Sequence, residues 1–106
     1  MHKCRITVLK RTVNQDLADQ YLDRSGEFGG TFGACTAFQE GQEFVVESPF
    51  SLPPGFPCSW AWADLRPDIF AIALGASMPW LKQPGTAIAG CTDILRPVIF
   101  KVERVE

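Results

Sequence analysis

No stretch of this sequence approaches the ~20 consecutive apolar residues that a membrane-spanning helix needs. The opening Met1-His2-Lys3-Cys4-Arg5-Ile6 has no continuous apolar segment of the kind a secretory signal carries, and a cytoplasmic protein is expected. Basic residues are not in excess. Ten Lys and Arg stand against twelve Asp and Glu, a net charge of −2, so there is no basic stripe for a phosphate backbone or an anionic lipid surface. Neither nucleic acid nor a membrane is expected as a partner. Histidine is limited to His2. A Ser-His-Asp or Cys-His arrangement would have to use that terminal imidazole, which is hard to hold against a buried nucleophile. The four cysteines, Cys4, Cys35, Cys58 and Cys91, include no Cys-x-x-Cys pair, which removes the zinc-ribbon and thioredoxin patterns. In a reducing compartment they are expected as free thiols.

What remains is the composition of an ordinary globular chain. Its 106 residues are 46% hydrophobic and 21% charged, which excludes disorder and suffices for one core and no second. Residues 3–12 alternate with Cys4, Ile6 and Val8 on one side and Lys3, Arg5 and Thr7 on the other, the pattern of a half-buried strand. Asn14 is placed to cap a short helix carrying Leu17, Ala18, Tyr21 and Leu22. A glycine-rich stretch, residues 25–35, lacks the Gly-Lys-Ser/Thr closure of a phosphate cradle and reads as a loop pinned by aromatic side chains. Residues 42–48 form a second strand with Phe44 and Val46 inward. Prolines at 49, 53, 54 and 57 then prevent regular structure until Cys58.

Ser59 is placed to cap a helix from about Trp60 to Leu74, with Trp62, Leu65, Ile69 and Ile72 on one face and Gly75 ending it. Pro67 inside this span predicts a kink, or two helices meeting at Arg66-Pro67. Two strands follow, at Thr86–Cys91 and at Pro97–Val105, the latter with Val98, Phe100 and Val102 inward. The order β-α-β-α-β-β predicts a compact α+β fold, one domain over 1–106, with a small, mainly antiparallel sheet packed by one Pro-kinked helix and one short helix.

Several segments together resemble a known family. They are Met1-His2-Lys3-Cys4-Arg5-Ile6-Thr7-Val8, Gly41-Gln42-Glu43-Phe44, Cys58-Ser59-Trp60-Ala61-Trp62-Ala63-Asp64, Pro79-Trp80, Cys91-Thr92-Asp93 and Arg96-Pro97-Val98. The chain is similar through nearly its whole length to a family of small, mostly prokaryotic cytosolic proteins of unknown function. It differs in carrying Ile94 where glycine is frequent, and in a longer 23–35 loop. The resemblance implies a cytosolic single domain and supplies no activity.

Chemistry concentrates around Cys58. A thiol just ahead of a helix lies near unpaired backbone N–H groups and the positive end of the helix dipole, which favours thiolate. Trp60 and Trp62 are about 200° apart around a helix, so one faces the core and the other a cleft or solvent. With Trp80 they suggest an aromatic pocket between this helix and the sheet, suited to a flat or apolar ligand; packing alone would explain the same residues. Asp64, turned into such a pocket, is a usable acid or base. Asp64 and Asp68 would otherwise be solvated helix charges paired with Arg66 or Arg96, and Asp93 an ordinary turn residue. Arg96 could anchor a carboxylate or phosphate, or form a surface ion pair. Phe28, Phe32, Phe38, Phe50 and Phe56 lie in loop-like regions, where they cover the core, line a ligand entrance or form a subunit interface.

The leading expectation is a small-molecule enzyme or ligand-binding domain, catalysing, if an enzyme, isomerase-, lyase- or cyclase-like proton transfer without a cofactor. Asp64, Cys58 and Arg96 are its candidate catalytic residues. Trp60, Trp62, Trp80 and Asp93 are its candidate substrate contacts. The alternatives are zinc or iron on the thiolates of Cys4, Cys35, Cys58 and Cys91, with His2 in reserve, and a non-enzymatic homo-oligomer or partner-binding module.

Overall fold

The computed structural model describes residues 1–27 and 29–106. Strict alternation puts Cys4, Ile6 and Val8 of β1 (Cys4–Arg11) on one buried face. The remaining elements are α1 (Gln15–Tyr21), β2 (Glu43–Val46), α2 (Ser59–Ala73), β3 (Thr86–Gly90) and β4 (Val98–Arg104). They form an α+β single domain in the expected order. The sheet runs β2-β1-β4-β3 with every neighbouring pair antiparallel. The two central strands are thus β1 and β4, paired from Cys4 opposite Arg104 to Arg11 opposite Val98.

Phe44 and Val46 of β2, Ala87 of β3, and Val98, Phe100 and Val102 of β4 complete the buried face of the sheet. Helix α2 packs there with Trp62, Leu65, Ile69 and Ile72, all buried, at the spacing of a single helical stripe. The opposite face mixes charged and apolar residues: Arg5 stands across from Glu103 and Thr7 from Lys101, Lys101 Nζ lies 3.0 Å from Glu103 Oε2, and Val45 and Ile88 are exposed beside them.

The phenylalanines of the irregular segments separate into distinct roles. Phe38 is 2% exposed and meets Phe44, Phe56 and Phe100 edge-on, at centroid distances of 6.3, 5.4 and 5.1 Å. Phe56 is buried too and reaches Trp62 at 6.1 Å. Phe50 is exposed and packs edge-on against Phe70 at 5.2 Å. Phe28 lies outside the described residues.

Four local details depart from the sequence-based expectation. Cys58, not Ser59, is the N-cap of α2: its backbone is extended and its Sγ accepts the Ala61 N–H at 3.4 Å. Of the two outcomes expected at Pro67, the division into two helices does not occur: α2 is continuous from Ser59 to Ala73. Pro67 and Ala63, whose carbonyl a proline cannot bond, are both exposed, so water can serve that carbonyl. Asn14 does stand at the N-cap position of α1, but its side chain makes no cap hydrogen bond; Asn14 Nδ2 donates to the Ile94 carbonyl instead. The fourth is a β-bulge. Val8 pairs with Phe100 but Lys10 pairs with Ile99, leaving Leu9 as the extra residue and reversing the phase beyond it. Arg11, outward by simple alternation from Lys3, shares the inward side with its cross-strand partner Val98.

The C-terminal end of α2 follows the expected pattern and adds a clamp. Gly75 takes the left-handed conformation at φ 105°. Arg104 Nη1 donates to the Ile72 carbonyl at 2.8 Å and the Ala76 carbonyl at 3.1 Å. Among the described residues no helix is long and apolar enough to cross a membrane.

Candidate functional site

Three segments meet beside the first turns of α2: residues 32–38, the start of α2 itself, and the 91–98 connection between β3 and β4. They enclose a cleft of about 680 Å³, within the ordinary range for small-molecule sites. Leu22, Phe32, Ile94, Leu95 and Val98 give it apolar walls, and Cys35, Cys58, Cys91, Asp64, Asp93 and Arg96 bring its polar groups.

Each group is held for a local reason. Cys58 is fixed as the cap of α2. Trp60 and Trp62 separate as their 200° spacing requires: Trp60 is 73% exposed on the cleft, whereas Trp62 is 8% exposed in the core. Asp64 lies one turn beyond Trp60 on the same side of the helix, and its Oδ2 accepts the Thr92 N–H at 2.7 Å. That bond ties α2 to the opposite wall. Cys91 follows β3 directly; its N–H donates to the Val98 carbonyl at 3.1 Å, and its Sγ accepts the Val98 N–H at 3.3 Å. Asp93 and Arg96 close the intervening turn through a 3.2 Å backbone hydrogen bond and a 3.0 Å contact from Arg96 Nε to Asp93 Oδ2.

The glycine-rich segment is held here by Phe32. The guanidinium carbons of Arg24 and Arg96 lie 5.6 and 5.9 Å from its ring centroid, at the distance of cation–π attraction. Cys35 is held through its carbonyl, which accepts from Arg11 Nη1 at 3.0 Å. Arg11 Nε bonds Glu40 Oε2 at 3.1 Å, and the side-chain hydrogen bond from Arg11 holds the Glu40 carboxyl below the usual range. Arg11 reaches this wall because the bulge at Leu9 turned it inward. Nothing in Val8-Leu9-Lys10-Arg11 announces a bulge, so neither Arg11 nor the Thr92 N–H was legible as a site component.

The cleft therefore gathers Cys58, Asp64, Arg96, Trp60 and Asp93, together with Cys35 and Cys91. It does not lie between α2 and the sheet, where a pocket was expected. That space is filled by the core, and Trp62 is part of the filling, against Phe56. Trp80 is 76% exposed in the segment before β3 and takes no part in the cleft lining. Cys4 sits towards the other end of β1, opposite Val46 and Arg104; it is buried, and burial pushes its thiol up from the ordinary value. His2 is exposed, its Nδ1 hydrogen-bonded to the Glu106 carbonyl. Among the described residues, no group of three or more His, Cys, Asp or Glu side chains is arranged to hold a metal ion.

Asp68, one turn past Asp64, does not line the cleft either. It is half-buried, makes no hydrogen bond or ion pair among the described residues, and is pushed up by desolvation. A carboxyl raised in the folded state binds its proton more tightly there than in the unfolded chain. Folding stability consequently falls as pH rises through the ordinary aspartate range and stays reduced above it. Asp68→Asn is expected to raise the melting temperature at pH 7, the gap closing as pH drops below that range. A variant melting at or below wild type at pH 7 would contradict this.

Comparison with models of known protein families, with curated proteins and with solved structures finds no match to this chain. The family resemblance rests on the quoted segments alone.

Proposed function

We propose that the protein binds a small organic anion with an apolar body in this cleft and catalyses proton transfer on it. The convergence of Cys58 and Asp64 from the start of α2 with Arg96 from the 91–98 connection onto one cleft carries this reading. Arg96 spends Nε on Asp93, while its two terminal amino groups have no hydrogen-bond partner among the described residues. They are free to take a carboxylate bidentately, with Asp93 fixing their direction. Asp64 likewise uses one oxygen on Thr92, leaving Oδ1 to accept or return a proton. Cys58 supplies a nucleophile or second acid/base. Trp60 and Phe32 offer flat apolar faces to the body of the ligand. Four free thiols support a reducing, cytoplasmic location.

Native mass spectrometry of the untagged protein, prepared anaerobically and compared with the denatured sample, tests the reading. An excess of organic-molecule size is expected, one per chain, lost in Trp60→Ala and in Arg96→Gln. A metal-sized excess would instead favour thiolate metal binding, and a multiple of the chain mass with no bound molecule would favour an oligomeric module.

A further inference from the structure

We infer that the cleft takes a soft carbon electrophile, an α,β-unsaturated keto acid, by covalent addition to the thiol of Cys58 or Cys91; this rests on the small-anion reading above. About one residue in six of the chain lines the cleft, so chance would place fewer than one of the four cysteines there, yet three line it. They arrive from three separate segments, so no local repeat accounts for their meeting. A soft metal ion would need several donors at once, and no such group exists among the described residues. An electrophilic carbon needs only one sulfur.

The four thiols are not equivalent. The sulfurs of Cys58 and Cys91 each accept a backbone N–H, from Ala61 and Val98, which fixes the position of each sulfur at the cleft wall. Cys35 Sγ has no such donor among the described residues, and Cys4 is buried in the core. Arg96, in the same cleft, would hold the carboxylate of the acid. In the step itself, sulfur forms a bond to the β-carbon, the π pair of the C=C bond shifts to join the α-carbon to the carbonyl carbon, and the C=O π pair moves onto oxygen, giving an enolate. The α-carbon then takes a proton from water, balancing the proton the thiol gave up. No oxidant or reductant enters.

The test treats the reduced, untagged full chain with trans-4-oxopent-2-enoate and, separately, with its methyl ester, followed by intact mass and peptide mapping. One adduct per chain is expected, on Cys58 or Cys91, with Cys4 and Cys35 unmodified. Relative to their rates with free N-acetylcysteine, the acid should outpace the ester by at least about tenfold, equivalent to roughly 1.4 kcal/mol, and Arg96→Gln should erase that preference. Adducts spread over all thiols at the rate of urea-unfolded protein, adducts on Cys35, or an acid no faster than its ester would overturn the inference. Titration with saturated 4-oxopentanoate, which cannot add, separates the two readings. Its binding without any adduct from the unsaturated acid leaves the small-anion reading standing and ends this one. If neither molecule engages the protein, both readings fall.

Discussion

Phe38→Ala is expected to remove about 3–5 kcal/mol of folding stability, a large part of the ~5–15 kcal/mol typical of a whole domain. The residue lies in no strand or helix, yet its ring is nearly inaccessible and stands at the centre of Phe44, Phe56 and Phe100. Truncation removes its burial together with three edge-to-face contacts, each adding about 0.5–1.5 kcal/mol beyond area alone. The cavity it leaves adjoins the three remaining rings, which cannot all move in to fill it. Urea unfolding followed by circular dichroism measures the loss. Phe38→Leu, which keeps most of the volume, should recover much of it. A Phe38→Ala loss below about 1 kcal/mol, the scale of surface changes, would show that the ring does not anchor the core.

Arg104→Met should be the next most damaging change, at about 2–3 kcal/mol, the scale of hydrogen bonds to a charged group. Its guanidinium joins the end of α2 to β4 by donating to the Ile72 carbonyl in the last turn and to the Ala76 carbonyl just past the helix, and its positive charge opposes the negative end of the helix dipole. Methionine keeps the apolar stem but offers nothing to either carbonyl. The urea midpoint should fall with an unchanged slope, since the same surface is exposed on unfolding. Lysine should restore only part of the loss, because an ammonium lacks the planar fork that spans both acceptors. A midpoint within error of wild type for Arg104→Met would mean that water serves these carbonyls equally well.

Where a period governed the chain, the sequence was readable. The alternation of β1 as far as Val8, the inward residues of β2 and β4, the buried stripe of α2 and the divergence of Trp60 from Trp62 all follow from spacing. Phe38 and Phe56 were not assignable, because nothing periodic surrounds them and a loop phenylalanine can serve a core, a cleft or an interface equally well. The candidate site was half visible. Cys35, Cys58 and Cys91 could be placed at the ends of elements, but their meeting depends on how β3 and β4 stack beside α2, which no local pattern encodes. The bulge was invisible for a simpler reason: Leu9 is an ordinary strand residue, and only the pairing with β4 makes it surplus. Trp80 shows the converse error, since an aromatic that suited a pocket by type lies outside it by position.

The pairing of β1 with β4 also governs how the molecule comes into being. Almost the whole chain separates these two strands, so the centre of the sheet cannot close until nearly everything between them has been synthesised. Contacts of such high sequence separation slow folding, because the entropy of loop closure must be met before they form. On the ribosome β1 must wait with its apolar face unpartnered, able at first to recruit only β2. The domain therefore assembles late and as a unit, and its cleft comes into existence only with the final strand.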